Sequence, residues 1–452
     1  MIGIRKISAA ACLAWGLMCA LAGSALAAQE EPADPVIQMV IDLLGSPDRD
    51  MRALGLQQVR EEVPGEAVTK KFAALLPKLP PDARAGLLEA LGDRGDGAAR
   101  PSVLEMLNAQ EEVVRAAALR ALGALGGAAD VPLLAGKAAA GSKLEKGAAR
   151  LSLVRLRGED VNQAIVSAMK AGKPDVRAEL VGVLAARGAK ETLPTVTAAA
   201  EDSDPSVRLA ALGALRFLAD QGQTATLVRL LKTAKGDQER RKAELALLAV
   251  CTRSGQACAD AIVAGLADAE VPSRIALLHG LARVGGPKAL AETVARLKDN
   301  DQAVRDEAVR MLSIWPDPAA ADQLRALAQK GEGLRCRVLA IRGLVRLASP
   351  QGKKPADVKT LAEIMRLAER PEEKRLVLGV LGGIPTADSL AVVMPALDQP
   401  ALADEAGLAA VMIVEKMKGG DKGEVRAALQ KVLQGAKSGR IRQRAQKALD
   451  SL

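Results

Sequence analysis

The chain has no tyrosine, two phenylalanines, two tryptophans and a single histidine in 452 residues. A sheet with so few aromatic side chains has little to pack with, whereas alanine and leucine, both strong helix formers, fill a chain that is 49% hydrophobic. An all-α fold follows. The scarcity also narrows the chemistry. A metal enzyme needs several ligands, and His279 has no His-Glu-x-x-His or Cys-x-x-Cys around it. No Gly-x-Ser-x-Gly accompanies it for nucleophilic catalysis, so His279 reads first as an exposed polar residue. Walker and Rossmann glycine patterns are missing, and "GEGLRC" begins like one and stops. "SAMK", Ser167 to Lys170, matches a Ser-x-x-Lys element without its Ser-Asp-Asn and Lys-Thr-Gly companions, and is read as coincidence. No catalytic residue, metal or cofactor is assigned. The near absence of aromatics removes stacking platforms for nucleic acid.

At the N-terminus Arg5 and Lys6 precede an apolar run from Ile7 to Gly23, followed by Ser24-Ala25-Leu26-Ala27. That order is a secretory signal peptide, residues 1–28, and predicts an exported, periplasmic or extracellular protein. The alternative is an uncleaved anchor, since the run approaches the lower limit for a membrane span. Cys19 lacks the small residue expected just before a lipidated cysteine. Residues 29–34 form a polar lead-in, and no later run is apolar for long enough to cross a bilayer. Losing Arg5 and Lys6 takes the net charge from +9 to +7, a thin excess that favours acidic protein partners without demanding nucleic acid.

"DSDPSVRLAALGAL" (202–215) returns in altered form as "DNDQAVRDEAVRML" (299–312). With Arg208 as position zero, the register recurs at Arg52, Arg84, Arg115, Gly147, Arg177, Arg241, Arg274, Arg305, Arg337, Lys374, Asp404 and Arg442, at spacings of 30 to 38 residues. Such a period marks a repeat architecture. Proline at −3 (Pro81, Pro174, Pro205, Pro371) suits the first helical turn. Asp48, Asp204 and Asp301 stand where caps belong. Glycine at +11 (Gly95, Gly126, Gly158, Gly188, Gly285) suits a left-handed helix end. A second apolar-periodic segment, such as "TATLVRLLKTA" (224–234), precedes each of these helices. The unit is therefore a pair of helices, and stacked pairs share one core.

The pattern Asp-x-x-x-Arg with small and leucine positions, in "DPSVRLAALGAL" and "QEEVVRAAALRALGALG", resembles HEAT repeats, most closely the short HEAT-like repeats named after phycobilisome lyases. The resemblance covers residues 34–452 and implies an α-solenoid of about thirteen stacked helix pairs, with repeats 1 to 10 over 34–350 and repeats 11 to 13 continuing over 351–452. The segment 348–357 inserts between repeats ten and eleven as either a longer turn or a hinge. Such repeats serve scaffolds, lyases and hydroxylases alike. With no catalytic motif found, the chain reads as a non-catalytic scaffold that holds partner proteins on the concave face, which the resemblance implies is lined by second helices. Alternatives are a bilin-lyase-like or hydroxylase-like enzyme with an unrecognised site, or a structural subunit of an envelope complex.

Ten of the thirteen zero positions are arginine: Arg52, Arg84, Arg115, Arg177, Arg208, Arg241, Arg274, Arg305, Arg337 and Arg442. The resemblance implies that this column pairs with acidic residues in the turns and joins neighbouring repeats, although a ladder for anionic ligands is the competing reading. On a helix of 3.6 residues per turn, +5 and +9 lie about 140° to 180° from the column, facing solvent. Along these positions His279, Arg283, Arg310, Arg342 and Arg346 fall in line, a basic stripe that is the candidate partner-binding site. Cys251 and Cys258 flank a six-residue loop, where in an oxidising compartment they either bridge or remain two buried thiols. Cys336 has no evident partner.

Overall fold

The computed structural model describes residues 35–61, 64–350, 355–417, 419 and 421–452. The proposed leader and lead-in lie outside the described residues.

Helix ends form where the punctuation places them. Pro81, Pro174, Pro205 and Pro371 each open a helix (Pro81–Arg94, Pro174–Arg187, Pro205–Leu218, Pro371–Leu381), where the missing N–H costs nothing. Asp48, Asp204 and Asp301 accept from the backbone N–H groups of Asp50, Ser206 and Ala303 at 2.7, 2.8 and 2.9 Å, satisfying donors that the first turn leaves without partners. Gly95 and Gly188 close their helices at φ 73° and 65°, a region that favours glycine. Gly126 differs from expectation: it is extended at φ −93°, ψ 179°. There the turn is held by Asp130, whose carboxylate accepts from Gly127 N at 3.0 Å.

The described residues form thirteen helix pairs, from Pro35–Gly45 with Arg49–Glu61 to Lys422–Gly435 with Gly439–Asp450, and contain no strand. The fold is an all-α solenoid in which each pair packs on its neighbours. Second helices of successive pairs meet over more of their length than first helices do. The shorter spacing on that side curves the array toward the second helices, which form its inner layer. Two glycines show why the inner spacing is short. A Cβ on Gly92 would stand 3.0 Å from the Ala121 Cα, and one on Gly123 would stand 2.8 Å from the Ser152 Cα. At these crossings a side chain would hold the helix axes apart.

The core runs between the layers. Leu212, Leu215, Leu278 and Leu281 are buried at +4 and +7, on the face that the helical period assigns them. Trp315 is fully buried. Across the insertion, Asp357 N donates to the Ala348 carbonyl at 3.0 Å, and Arg325 Nε reaches Glu363 at 3.1 Å. Residues 351–354 of that segment lie outside the described set. Among the described residues no helix is long and apolar enough to cross a membrane.

Candidate functional site

The arginine column is built from one local geometry. Arg208 Nη1 donates to the carbonyls of Asp202 and Ser203 at 2.9 and 2.8 Å, which fixes the turn between the two helices of its own repeat. Its Nε and Nη2 then reach Glu239 of the next repeat at 2.9 and 2.6 Å. Arg115 does the same with the Ala109 and Gln110 carbonyls and Glu145, and Arg52 with the Ser46 and Pro47 carbonyls and Asp82. Arg177 meets Asp202, Arg274 meets Asp299, and Arg84 meets Glu111 of the following repeat at 3.6 Å. Arg305 and Arg337 hold turn carbonyls, while Arg442 is exposed. The aspartates at −4 therefore cap helices, and the carboxylates that meet the column come from the neighbouring repeat. Backbone N–H from Ser142, then the side chains of Arg115 and Lys137, hold the Glu145 carboxyl down at about 2 against the opposing effect of burial.

Repeat seven departs from the expected register. Arg241 is exposed, whereas Arg240 is partly buried with its Nε out of solvent. Counting from Arg240 puts Ala243, Ala246, Leu247 and Val250 in the core and leaves Leu245 42% exposed. Counting from Arg241 would place Leu245 in the core, so Arg240 holds the column position.

The stripe is not uniformly basic. His279 stands between two carboxylates from neighbouring repeats, Nδ1 at 2.5 Å from Glu244 and Nε2 at 2.7 Å from Glu307. Arg310 Nε donates to Glu307 at 2.8 Å, and its Nη2 lies 3.1 Å from the imidazole. Burial works against the imidazolium, but the hydrogen bonds to Glu244 and Glu307 outweigh it and raise His279 from 6.5 to about 9. His279 is thus a half-buried cross-brace over three repeats rather than an exposed polar residue. Arg346 turns inward, donating to the Ser313 carbonyl at 3.3 Å and to the Trp315 carbonyl. Arg283 and Arg342 remain exposed with no carboxylate partner among the described residues. They are the free charges of the stripe. Arg283 borders an open hollow of about 320 Å³ lined also by Leu248, His279, Arg310, Met311 and Ile314.

Cys251 and Cys258 are both buried and free, and Thr224 Oγ1 donates to the Cys258 sulfur at 3.4 Å. Burial, and then the neighbouring sulfur, push the Cys251 thiol well up. Cys336 is half-buried and free. No group of three or more His, Cys, Asp or Glu side chains among the described residues could hold a metal ion.

One inner-face residue lies outside the basic stripe. Phe217 at +9 of repeat six is 67% exposed beside an open apolar hollow of about 610 Å³ lined by Gly182, Ala185, Ala186, Ala210, Gly213 and Ala214. The sequence signal for it was a lone aromatic on the side of the helix opposite the core leucines.

Comparison with known proteins supports this picture at the level of the fold. A family model described as HEAT repeats matches residues 69–153, 162–248 and 259–345, more than half of the chain. No curated protein matches the sequence. Among solved structures, Kap121p bound to Ste12p is similar at 13% identity with a TM-score of 0.53, the likeness covering 91% of this chain and 52% of that one. Kap121p alone gives 13% and 0.52, covering 91% and 53%. The karyopherin Kap121p bound to the SUMO protease Ulp1p gives 13% and 0.53, covering 91% and 52%. The chain therefore spans about half the length of these structures.

Proposed function

This chain belongs to the HEAT-repeat family, and from that premise we propose that it is an exported scaffold that holds a partner protein against its inner layer of second helices. The observation that carries this reading is the pair of free cations, Arg283 and Arg342, on a face where neighbouring charges are neutralised within the fold. An exposed arginine beside an apolar hollow suits contact with an acidic protein surface. The similar Kap121p structures carry protein partners, Ste12p and Ulp1p, in the same kind of solenoid. The leader-like residues 1–28 support export to the periplasm or beyond. The Asp-x-x-x-Arg pattern of the short repeats supports kinship with the phycobilisome-lyase type within the family.

The test is in-cell photo-crosslinking. A photoreactive amino acid at position 342, on the inner layer, is compared with one at position 366, exposed on a first helix. Defined crosslinked protein bands from position 342 and none from 366 are expected, and adding Arg283→Glu to the position-342 probe, which already lacks Arg342, should abolish them while leaving the helical circular dichroism intact. Crosslinks from 366 alone, or none from 342, would sink the reading.

A further inference from the structure

We propose that the inner face from repeat five to repeat ten is one track for an extended acidic peptide segment that carries a bulky apolar side chain, seated against Phe217. The proposal rests on the scaffold reading and specifies its partner.

Phe217 is the anchor point. It stands 67% exposed in a chain whose other phenylalanine, Phe72, is buried to 1% exposure. Leaving an aromatic ring in water forgoes the gain of burying it, and apolar surface gathered in one place marks an interaction site. The floor beside the ring is made of glycine and alanine, which do not reach into the hollow of about 610 Å³. A leucine or aromatic side chain fits such a space. Arg216 lies over the Phe217 ring with its Cζ 5.7 Å from the centroid, a cation–π contact that steadies the ring.

Charge then runs in one direction along the same face. Lys242 reaches to 3.7 Å from where a Gly213 Cβ would be, Arg283 follows two repeats after Phe217, and Arg342 follows four repeats after it. The carboxylates on this face, Glu244 and Glu307, are already engaged by His279 and Arg310, so they do not cancel Arg283 or Arg342. Packed helices stand about 8–10 Å apart. Arg283 is then roughly 16–20 Å and Arg342 roughly 32–40 Å from the anchor. At about 3.3 Å per residue, acidic residues about five to six and ten to twelve positions from the anchor meet these two arginines. A single aromatic with aliphatic surroundings offers no row of stacking surfaces, which disfavours a single-stranded nucleic acid.

The experiment uses the whole protein and fluorescent 14-residue peptides read by anisotropy. Each peptide carries a leucine near one end and aspartate pairs six and twelve residues away on a Gly-Ser chain, made in both chain directions. Saturable binding by one direction is expected, weakened at least tenfold by Phe217→Ser and also by Arg283→Glu with Arg342→Glu, and weakened by raising salt. Because the Phe217 ring is exposed, its replacement leaves the helical signal and the melting temperature unchanged. No saturable binding by either direction overturns the proposal, as does indifference to Phe217→Ser or equal binding of a 15-residue oligothymidylate. If position 342 still crosslinks a partner in cells while Phe217→Ser has no effect, the anchored track fails and the scaffold reading stands. Absence of position-342 crosslinks from protein carrying the probe alone would remove both.

Discussion

Arg208 binds three things at once: two carbonyls of its own inter-helix turn, Asp202 and Ser203, and the carboxylate of Glu239 in the next repeat, with Nη2 to Oε1 at 2.6 Å. Arg208 is 6% exposed, so removing it leaves a nearly buried carboxylate and two carbonyls without their donor. Arg208→Ala is expected to cost about 3–5 kcal/mol, measured by urea denaturation. Arg241→Ala, at the exposed neighbour of the true column residue, is expected within about 0.5 kcal/mol of the parent. Equal losses would show that the column runs through Arg241 after all.

The brace at His279 gives a pH dependence with a definite sign. Its folded value of about 9 lies above the ordinary 6.5, so its stabilisation is complete below pH 6.5 and fades as pH rises through 9. The difference corresponds to on the order of 2–3 kcal/mol. Thermal melts should fall between pH 6.5 and 9.5, and His279→Gln should flatten that part of the profile. A parent whose melting temperature is level across this range would contradict the brace.

Two glycine substitutions should have opposite effects. Gly123→Ala would press a Cβ to 2.8 Å from the Ser152 Cα and is expected to destabilise by about 1–3 kcal/mol. Gly379→Ala, in a helix with nothing within 4 Å of the new methyl, is expected to stabilise by about 0.5–1 kcal/mol. Chemical denaturation of the two variants side by side tests this, and a neutral Gly123→Ala would mean that the inner seam has slack.

Trp315 is fully buried, yet its indole N–H has no partner among the described residues. Trp315→Phe removes that unpaired donor while keeping most of the ring, and is expected to be nearly neutral. Trp315→Ala should cost about 3–5 kcal/mol through the cavity it leaves. A large loss in the phenylalanine variant, seen by calorimetry, would indicate an unrecognised partner for the indole.

Cys251 and Cys258 are both buried, and the Cys258 sulfur is near enough to help raise the Cys251 thiol. In an oxidising compartment they are expected to bridge, and the bridge adds about 2–3 kcal/mol in the chain-entropy account. Protein secreted to such a compartment should take up two more alkylating groups after reduction than before it. Equal uptake under both conditions would show two thiols that stay reduced.

The repeat was legible because Arg, Leu, Pro and Gly sit at fixed offsets, each for a local reason that survives in the folded chain. The slip at repeat seven came from two adjacent arginines, Arg240 and Arg241, either of which fits a spacing rule. The partial burial of Arg240 and the burial of Ala246 and Leu247, against the exposure of Arg241 and Leu245, separate them. The outward direction of His279 and Arg310 followed from helix geometry, but their neutralisation did not. Glu244 comes from another repeat, and Glu307, three residues before Arg310, becomes a partner of His279 only when repeats eight and nine stack. Arg346 turned to backbone carbonyls for the same reason, since the Ser313 and Trp315 carbonyls belong to the preceding repeat.

The inner seam has a mechanical consequence. Each joint is fastened to its two neighbours alone, so a small rotation at every joint adds up to a large change in end-to-end length at little cost per joint. The molecule is then a spring whose stiffness varies along its coil. It is firm where Gly92, Gly123, Gly343 and Gly382 bring helices into near contact, and its give falls on the joints without such a crossing. A guest wider than the resting groove would be accommodated by extension there, with the elastic recoil pressing the wall back against it.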